Sequence, residues 1–411
     1  MTAVPSLDDA TVRELAVRVQ QIPAPTFAEH DRAAFAARFW DDSGRAAGVV
    51  AHDDGSINCY CRVAGADGSL PALMLSAHTD TVFPAATDLT LHRDTAAGRL
   101  AGPGIGDNSL AVAALVALGA AIEPGSLPCD LWLVANAAEE GLGDLRGIRA
   151  AIDHVGREHS PGIGAAVVLE GMALGAVYHQ GIGVRRYRLT ITTAGGHSWG
   201  DYGSPSAIHE LVARLAPVVD LELPAEPRTT LNVGVVDGGT SINTIAPHAS
   251  AEVDLRSATA EGLVALEERF YEAVGCRPGD GTAATHGTAA THGTPRHRGA
   301  GSGPRAAVRL ELIGDRPAGA IPAEHPLVRA GVAALEAVGR EAHLRSGSTD
   351  TNALLAASIP SICVGISTGV GAHRTDEYVN TEPIAAGLRQ LARLVPAAAE
   401  LMSTGRLGEG A

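Results

Sequence analysis

Four apolar runs in this chain each lead into a histidine or a carboxylate. LMLSA (73–77) is followed by His78 and Asp80, and LWLVANAA (131–138) by Glu139 and Glu140. AAVVL (165–169) is followed by Glu170, and SICVGIS (361–367), after a glycine-rich turn, by His373. A fifth group, Asp107, sits in GPGIGDNS just ahead of a helical pattern. Taken singly, each has an ordinary explanation: a histidine near a strand end, an N-capping aspartate, a solvated Glu-Glu turn. Taken together, strand after strand delivers such a group to one edge, and ligands of open α/β sheets bind outside the carboxyl ends of the strands. Two imidazoles and three carboxylates at one point form the donor set of zinc or a similar divalent cation.

The set suits two ions better than one. A carboxylate can bridge cations roughly 3.5–4 Å apart. Five ligands sharing that bridge leave both ions room for water. Of the adjacent glutamates, one can ligate while its neighbour takes a proton from the water. Asp80, two residues from His78 and on the same strand face by simple alternation, is placed to hold the other imidazole nitrogen and fix the tautomer.

The elements that must position these groups are legible in the hydrophobic pattern. Asp8–Gln21, Glu29–Trp40, Ser109–Ile122 and Leu145–His154 read as helices, while Ile57–Ala64, Leu73–Ala77, Leu131–Ala137 and Ala165–Leu169 read as strands. Short apolar runs between helices imply an α/β fold, a mostly parallel sheet flanked by helices. From Val184 the pattern changes to β-α-β-β-α-β: VRRYRLTIT, a helix in SPSAIHELVARLAPVV with Pro205 at its first turn, TLNVGVV, AEVDLRS, a helix over Ala260–Val274, and AAVRLELI. That is the split ferredoxin-like α+β unit, read as an insertion over 184–316. Helix His325–Val338, strand Ser361–Ile366 and helix Glu382–Leu401 then resume the first pattern, so 1–183 and 317–411 form one discontinuous domain. Between about 277 and 304 lies a Gly-, Thr-, Ala- and His-rich segment with a tandem GTAATH repeat, expected to be a disordered surface loop. Nothing fixes the geometry of its His286, His292 and His297.

Composition narrows the function. A formal charge of −15, with arginine as the sole basic side chain besides histidine, argues against nucleic-acid or anionic-membrane partners. The N-terminal MTAVPSLDDATVREL lacks a signal-peptide pattern, no apolar run is long enough to span a bilayer, and five scattered cysteines fit a reducing compartment. The expected location is the cytoplasm.

The motifs AHTDTVFP, GPGIGDNS, NAAEEG, VVLEG, TAGGHSWG, GGTSINTIAP and GAHRTDE resemble those of the zinc metallopeptidase and deacylase family of carboxypeptidase G, peptidase T, acetylornithine deacetylase, succinyl-diaminopimelate desuccinylase and aminoacylase. The resemblance covers nearly the whole chain. It implies a zinc exopeptidase-like catalytic domain with two zinc ions per subunit (cobalt or manganese being the alternatives), one held by His78 and Glu170, the other by Glu140 and His373, with Asp107 between them. It implies Glu139 as general base and Asp80 as the partner of His78. In this family the inserted domain is a lid and dimer interface, so a homodimer is expected. His197 would reach the neighbouring subunit's site to stabilise an oxyanion, and Asn243 and Arg256 match positions that contact substrate. Ser348, Thr349 and Asp350 fall in a loop near the pocket and receive no role.

Two other chemistries are suggested by local motifs. GPGIGD resembles a dinucleotide loop, but the third glycine of that pattern would fall at Asp107. Gly196-His197-Ser198-Trp199-Gly200 satisfies G-x-S-x-G, with Asp350 and His373 following in serine-hydrolase order. That reading leaves Asp107, Glu139, Glu140 and Glu170 unexplained, and Gly200, Gly203 and Pro205 delay the helix an elbow needs. A non-catalytic metal-binding relative is the remaining alternative, although every expected ligand and the base are present. The substrate class is a di- or tripeptide or an N-acyl amino acid with a free carboxylate, for which Arg256 is the candidate anchor. Glu170, where the peptidase branches carry Asp, points to the deacylases. GSTDTNALLAASIPSICVGISTG points to the peptidase T-like branch.

Overall fold

The computed structural model describes residues 4–5, 7–280 and 306–408. It divides into two compact units, one running to Gly181 and resuming at Ala318, the other spanning Ile182–Pro317. The repeat-bearing segment lies, from residue 281, outside the described residues.

The first unit is built on a mixed, mostly parallel sheet. Its strands are β1 (Ala47–Ala51), β2 (Ile57–Val63), β3 (Ala72–His78), β4 (Leu131–Asn136), β5 (Ile163–Glu170), β6 (Ala176–Gly181), β7 (His343–Gly347) and β8 (Ser361–Gly365). They lie in the order β1-β2-β4-β3-β5-β8-β6, with β7 and a ninth, two-residue strand, Gly319–Ala320, also on β6. The central pairs β4/β3, β3/β5 and β5/β8 are parallel, whereas β1/β2, β2/β4 and β8/β6 are antiparallel. Every residue of β3, β4 and β8 is buried, as continuous apolar runs in a sheet covered on both faces should be.

Alternation along the strands feeds two cores. Leu73, Leu75, Leu131, Leu133, Val167 and Val364 pack on one side with helices α1 (Asp9–Gln20), α2 (His30–Asp42), α3 (Leu110–Ala121), α5 (Pro326–Glu336) and α7 (Ile384–Ser403). Met74, Trp132, Val134, Val168 and Cys363 pack on the other side with α4 (Arg146–Glu158) and α6 (Thr351–Ala356). Cys59 and Cys61 of β2 are buried free thiols.

The second unit has four antiparallel strands in the order 229–238, 248–257, 183–192, 307–316, and its helices Ala207–Val219 and Ala260–Val274 share one core with them. Connection and order together make the ferredoxin-like arrangement. Pro205 lies before the first of these helices, whose N-cap is Ser206, and not in its first turn. Among the described residues no helix is long and apolar enough to cross a membrane.

Candidate active site

The four parallel neighbours β4, β3, β5 and β8 end side by side, which brings their trailing residues to one place. His78 and Glu170 are the last residues of β3 and β5, Glu139 and Glu140 follow β4, and His373 follows β8. Asp107 arrives from a single widened turn, Ile105–Ser109, that leads into α3. That turn is pressed against the residue after Glu170: a Cβ on Gly171 would stand 2.0 Å from the Gly106 carbonyl oxygen.

Four close approaches join the groups. His78 Nε2 lies 3.2 Å from Asp107 Oδ1 and 3.9 Å from Glu170 Oε1. His373 Nε2 lies 3.4 Å from Asp107 Oδ2 and 3.1 Å from Glu140 Oε1. Metal–ligand bonds of about 2.0–2.2 Å at tetrahedral angles put neighbouring ligand atoms about 3.3–3.6 Å apart. The observed spacings straddle that range, and ligand atoms of His78, Asp107 and Glu140 all lie within 4.8 Å of one another. The donors present therefore fit a divalent cation.

Electrostatics agree. Burial opposes the His78 imidazolium, but Asp107, Asp80 and the charges of Glu170 and Glu139 outweigh it and hold its pKa well above the ordinary value. Hydrogen bonds to Asp107 and Glu140 raise His373 to about 10. Burial pushes Glu140 up to about 7 and Glu170 well above the carboxylate range. The cluster carries more acid than two imidazoles can neutralise, which is the condition for holding cations.

Asp80 is placed differently from the simple alternation. β3 ends at His78, so Asp80 lies beyond the strand and not on its face. His78 Nδ1 is 3.2 Å from the Asp80 backbone oxygen and 3.5 Å from its carboxylate. That carboxylate also accepts the backbone N–H groups of Glu139 and Glu140, each at 2.9 Å, and the Thr26 hydroxyl at 2.9 Å. Asp80 thus fixes the glutamate pair as well as the histidine. Asp350 lies in the turn that leads into α6, as its N-cap, where it is fully buried and Asn136 Nδ2 donates to it at 2.8 Å.

Several residues around the site carried no sequence signal. Glu29 Oε1 accepts the N–H groups of Phe27 (2.8 Å) and Ala138 (3.1 Å), both of which have positive φ. Arg32 of α2 is buried and donates to the carbonyls of Ile22 and Thr79 at 2.9 and 3.0 Å. Glu377 accepts the N–H groups of Gly106 at 2.9 Å and Asp107 at 3.3 Å. Of these, only Glu377 stood inside a recognisable motif, GAHRTDE.

The other three sequence candidates belong to the second unit. His197 is exposed and pairs with Thr244, while Ser198 N–H donates to the Asn243 carbonyl, so His197 and Asn243 share one loop cluster. The backbone N–H groups of Trp199 and Gly200 donate to His197 Nδ1 at 3.2 and 3.3 Å. That leaves the neutral ring's proton on Nε2, a donor facing outward. Arg256 stands at the far end of strand 248–257, about 27 Å along extended chain from His248, and is held bidentately by Asp254. Ser198 begins no helix, since the next starts at Ala207. Asp350 hydrogen-bonds Asn136 while His373 faces Asp107 and Glu140, so the acid–base pair of a serine triad is not formed.

A family model described as "Peptidase family M20/M25/M40" matches residues 74–397. A peptidase M20 domain-containing protein of Sordaria macrospora is 28% identical over 226 residues, which cover 50% of this chain. The match spans 49% of that relative's length. A tripeptidase from Staphylococcus aureus superposes with a TM-score of 0.71 at 17% identity, over 96% of this chain and 100% of that one. A dinuclear metal-binding peptidase of the M20 family from Bacillus subtilis superposes with a TM-score of 0.62 at 15% identity, over 96% and 99%. At such identities the likeness is one of fold.

Proposed function

The chain belongs to peptidase family M20/M25/M40, and on that footing we propose that it is a dinuclear metallohydrolase cleaving a peptide or amide bond in a small substrate. The observation that carries this reading is Asp107, whose two oxygens face two different imidazoles at 3.2 and 3.4 Å. His78 and Glu170 would hold one ion and Glu140 and His373 the other, with Asp107 available to both. Zinc suits this mixture of imidazole and carboxylate, with cobalt or manganese as alternatives.

When bound, the cations would supply Lewis acidity toward the scissile carbonyl and toward water. Glu139 takes the proton from the attacking water and returns it to the leaving nitrogen. Its side chain is buried, and its charge acts on both His78 and Glu170. Asp80 keeps Glu139 and Glu140 in place through their backbone N–H groups. His197 donates from Nε2 to the developing oxyanion, a role supported by the amides that occupy its Nδ1.

The inserted unit serves as lid and homodimer interface. Support comes from its edge strand 229–238 and the helix 207–219, which expose Val235, Val236, Val212 and Val219. The substrate is a di- or tripeptide or an N-acyl amino acid. Asn243, beside His197, is the better-supported substrate contact. Arg256 is already engaged by Asp254 and would have to exchange that partner to bind a carboxylate.

The test is elemental analysis of the purified protein together with hydrolysis of N-acetyl amino acids and di- and tripeptides, before and after chelation. About two ions per chain and chelator-sensitive cleavage are expected, and the panel separates peptidase from deacylase. Activity that survives removal of all metal would overturn the reading.

A further inference from the structure

We infer that Asn58 is a positioning residue for the glutamate pair: its buried amide clasps both ends of the loop that carries Glu139 and Glu140, residues 137–147, and so fixes where the two carboxylates stand. The inference rests on the metallohydrolase reading above and concerns a residue outside the stretch matched by the family model, 74–397.

The β2/β4 ladder ends at the pair Cys59–Ala135, and β4 itself ends at Asn136. The Ala137 N–H therefore leaves the sheet without a ladder partner, in a fully buried place where an unpaired donor is costly. Asn58 Oδ1 accepts it at 2.9 Å. The Nδ2 of the same side chain donates at 2.7 Å to the carbonyl of Gly147, in the first turn of α4 at the other end of the loop. The two ends also touch directly, since a Cβ on Gly147 would stand 2.0 Å from the Ala137 carbonyl oxygen. One amide group thus holds the loop shut. Asparagine suits the position because it offers an acceptor and donors on one short, planar side chain.

Between those ends the backbone is strained. Ala138, Asp144 and Leu145 have positive φ without being glycine, a conformation that persists only where its surroundings enforce it. Side chains from three segments do so through consecutive amides: Asn58 accepts Ala137 at 2.9 Å, Glu29 accepts Ala138 at 3.1 Å, and Asp80 accepts Glu139 and Glu140 at 2.9 Å each. Four successive N–H groups are thereby fixed by side chains, and the last two belong to the proposed base and ligand. An asparagine that only finished a strand would need the Ala137 bond alone. The second bond, to Gly147, closes the loop. Asn58 is held in turn by its neighbours: Nδ2 also donates to the Tyr60 hydroxyl at 2.9 Å, and that hydroxyl lies 2.9 Å from His52 Nε2.

The experiment compares wild type, Asn58→Leu and Tyr60→Phe. Hydrogen exchange of the metal-free proteins is followed over residues 137–147 by mass spectrometry. The kcat and KM are measured at saturating Zn²⁺ on whichever N-acetyl amino acid, dipeptide or tripeptide of the panel above wild type cleaves fastest. Asn58→Leu is expected to exchange about tenfold faster or more in that segment, as loss of buried hydrogen bonds lowers protection. Its kcat is expected to fall by about 10–100-fold with KM within a few-fold of wild type, the cost of slightly misplaced catalytic groups. Tyr60→Phe keeps both loop bonds and loses only a hydroxyl, so it is expected to lower the melting temperature while leaving kcat and exchange in the segment at wild-type values. A wild-type kcat in Asn58→Leu, a loss confined to KM, unchanged exchange over residues 137–147, or an equal fall in kcat for Tyr60→Phe each overturns the inference. Should Asn58→Leu fail to fold, Asn58→Ala decides on the same readouts, because water can enter the space it leaves and satisfy both loop ends. A wild-type chain that cleaves none of the panel overturns the hydrolase reading and this role together, whereas an active wild type with an unimpaired Asn58 variant removes this role alone.

Discussion

The carboxylate of Asp107 offers Oδ1 to the Nε2 of His78 at 3.2 Å and keeps Oδ2 free of that ring, turned instead to the Nε2 of His373 at 3.4 Å. One side chain therefore joins two strand ends, β3 and the segment after β8, that have no other ligand in common. Asp107→Ala is expected to reduce bound metal from two ions to one or none and to abolish turnover. Retention of both ions by the variant, measured by elemental analysis, would remove Asp107 from its bridging role.

Glu139 and Glu140 receive different tasks although they are chain neighbours. Glu140 Oε1 faces His373 at 3.1 Å, within ligand spacing, whereas Glu139 is assigned the proton. Glu139→Ala is expected to lower kcat by at least about 10²–10⁴-fold, the usual worth of a general base, with metal content unchanged. Glu140→Ala is expected to lose metal. The opposite pattern would exchange the two roles.

If His197 acts on the partner's site, two inactive proteins should rescue each other. Mixing Glu139→Ala with His197→Ala subunits is expected to restore part of the activity, because the mixed dimer carries one site with both residues intact. His197→Ala alone should cost about 10²–10³ in kcat, as removal of an oxyanion donor does. No rescue after proven subunit exchange would place His197 in its own subunit's site or outside the mechanism.

How much of this was legible depended on whether a residue acts through its type or through its neighbours. His78, Asp107, Glu140, Glu170 and His373 each follow an apolar run or precede a helix, so pattern alone brings them to one edge. The β-α-β-β-α-β unit was legible for the same reason: alternation and helical periodicity are local signals. Strands β1, β6 and β7 were missed because they are short or lie toward the margin of the sheet, where half-exposed sequences carry no continuous apolar run. Asp80 was read from strand alternation, which stops at His78, two residues short of it. Glu29 and Arg32 were invisible because a charged residue on an amphipathic helix normally faces water. Only the fold shows that the carbonyl of Thr79 and the amide of Ala138 wait for them.

The close approach at Gly171 links a backbone detail to the ligands on either side of it. Any Cβ there would lie 2.0 Å from the Gly106 carbonyl oxygen, a backbone atom that can yield only if the Asp107 turn moves. Gly171→Ala is expected to destabilise the chain by about 1–3 kcal/mol, typical of overpacking, and to weaken metal binding because Asp107 shifts. A variant with wild-type melting temperature and metal content would show that the turn is free to adjust.

Asp350 makes the pH dependence of the metal-free chain testable. Burial, reinforced by the charge of Glu139, raises its pKa to about 7 from an ordinary aspartate value. The folded state therefore holds this proton more tightly than the unfolded state does. Its stabilising contribution is complete below about pH 4, where both states are protonated, and is lost as pH rises through about 7. Asp350→Asn removes the titration while keeping an oxygen for the Asn136 amide. Measured by denaturant unfolding of metal-free protein, the variant is expected to gain on wild type by a few kcal/mol between pH 4 and pH 8. A stability difference that stays flat across that range would show that Asp350 is charged at low pH as well, and that its buried carboxylate has a counter-charge other than the proton.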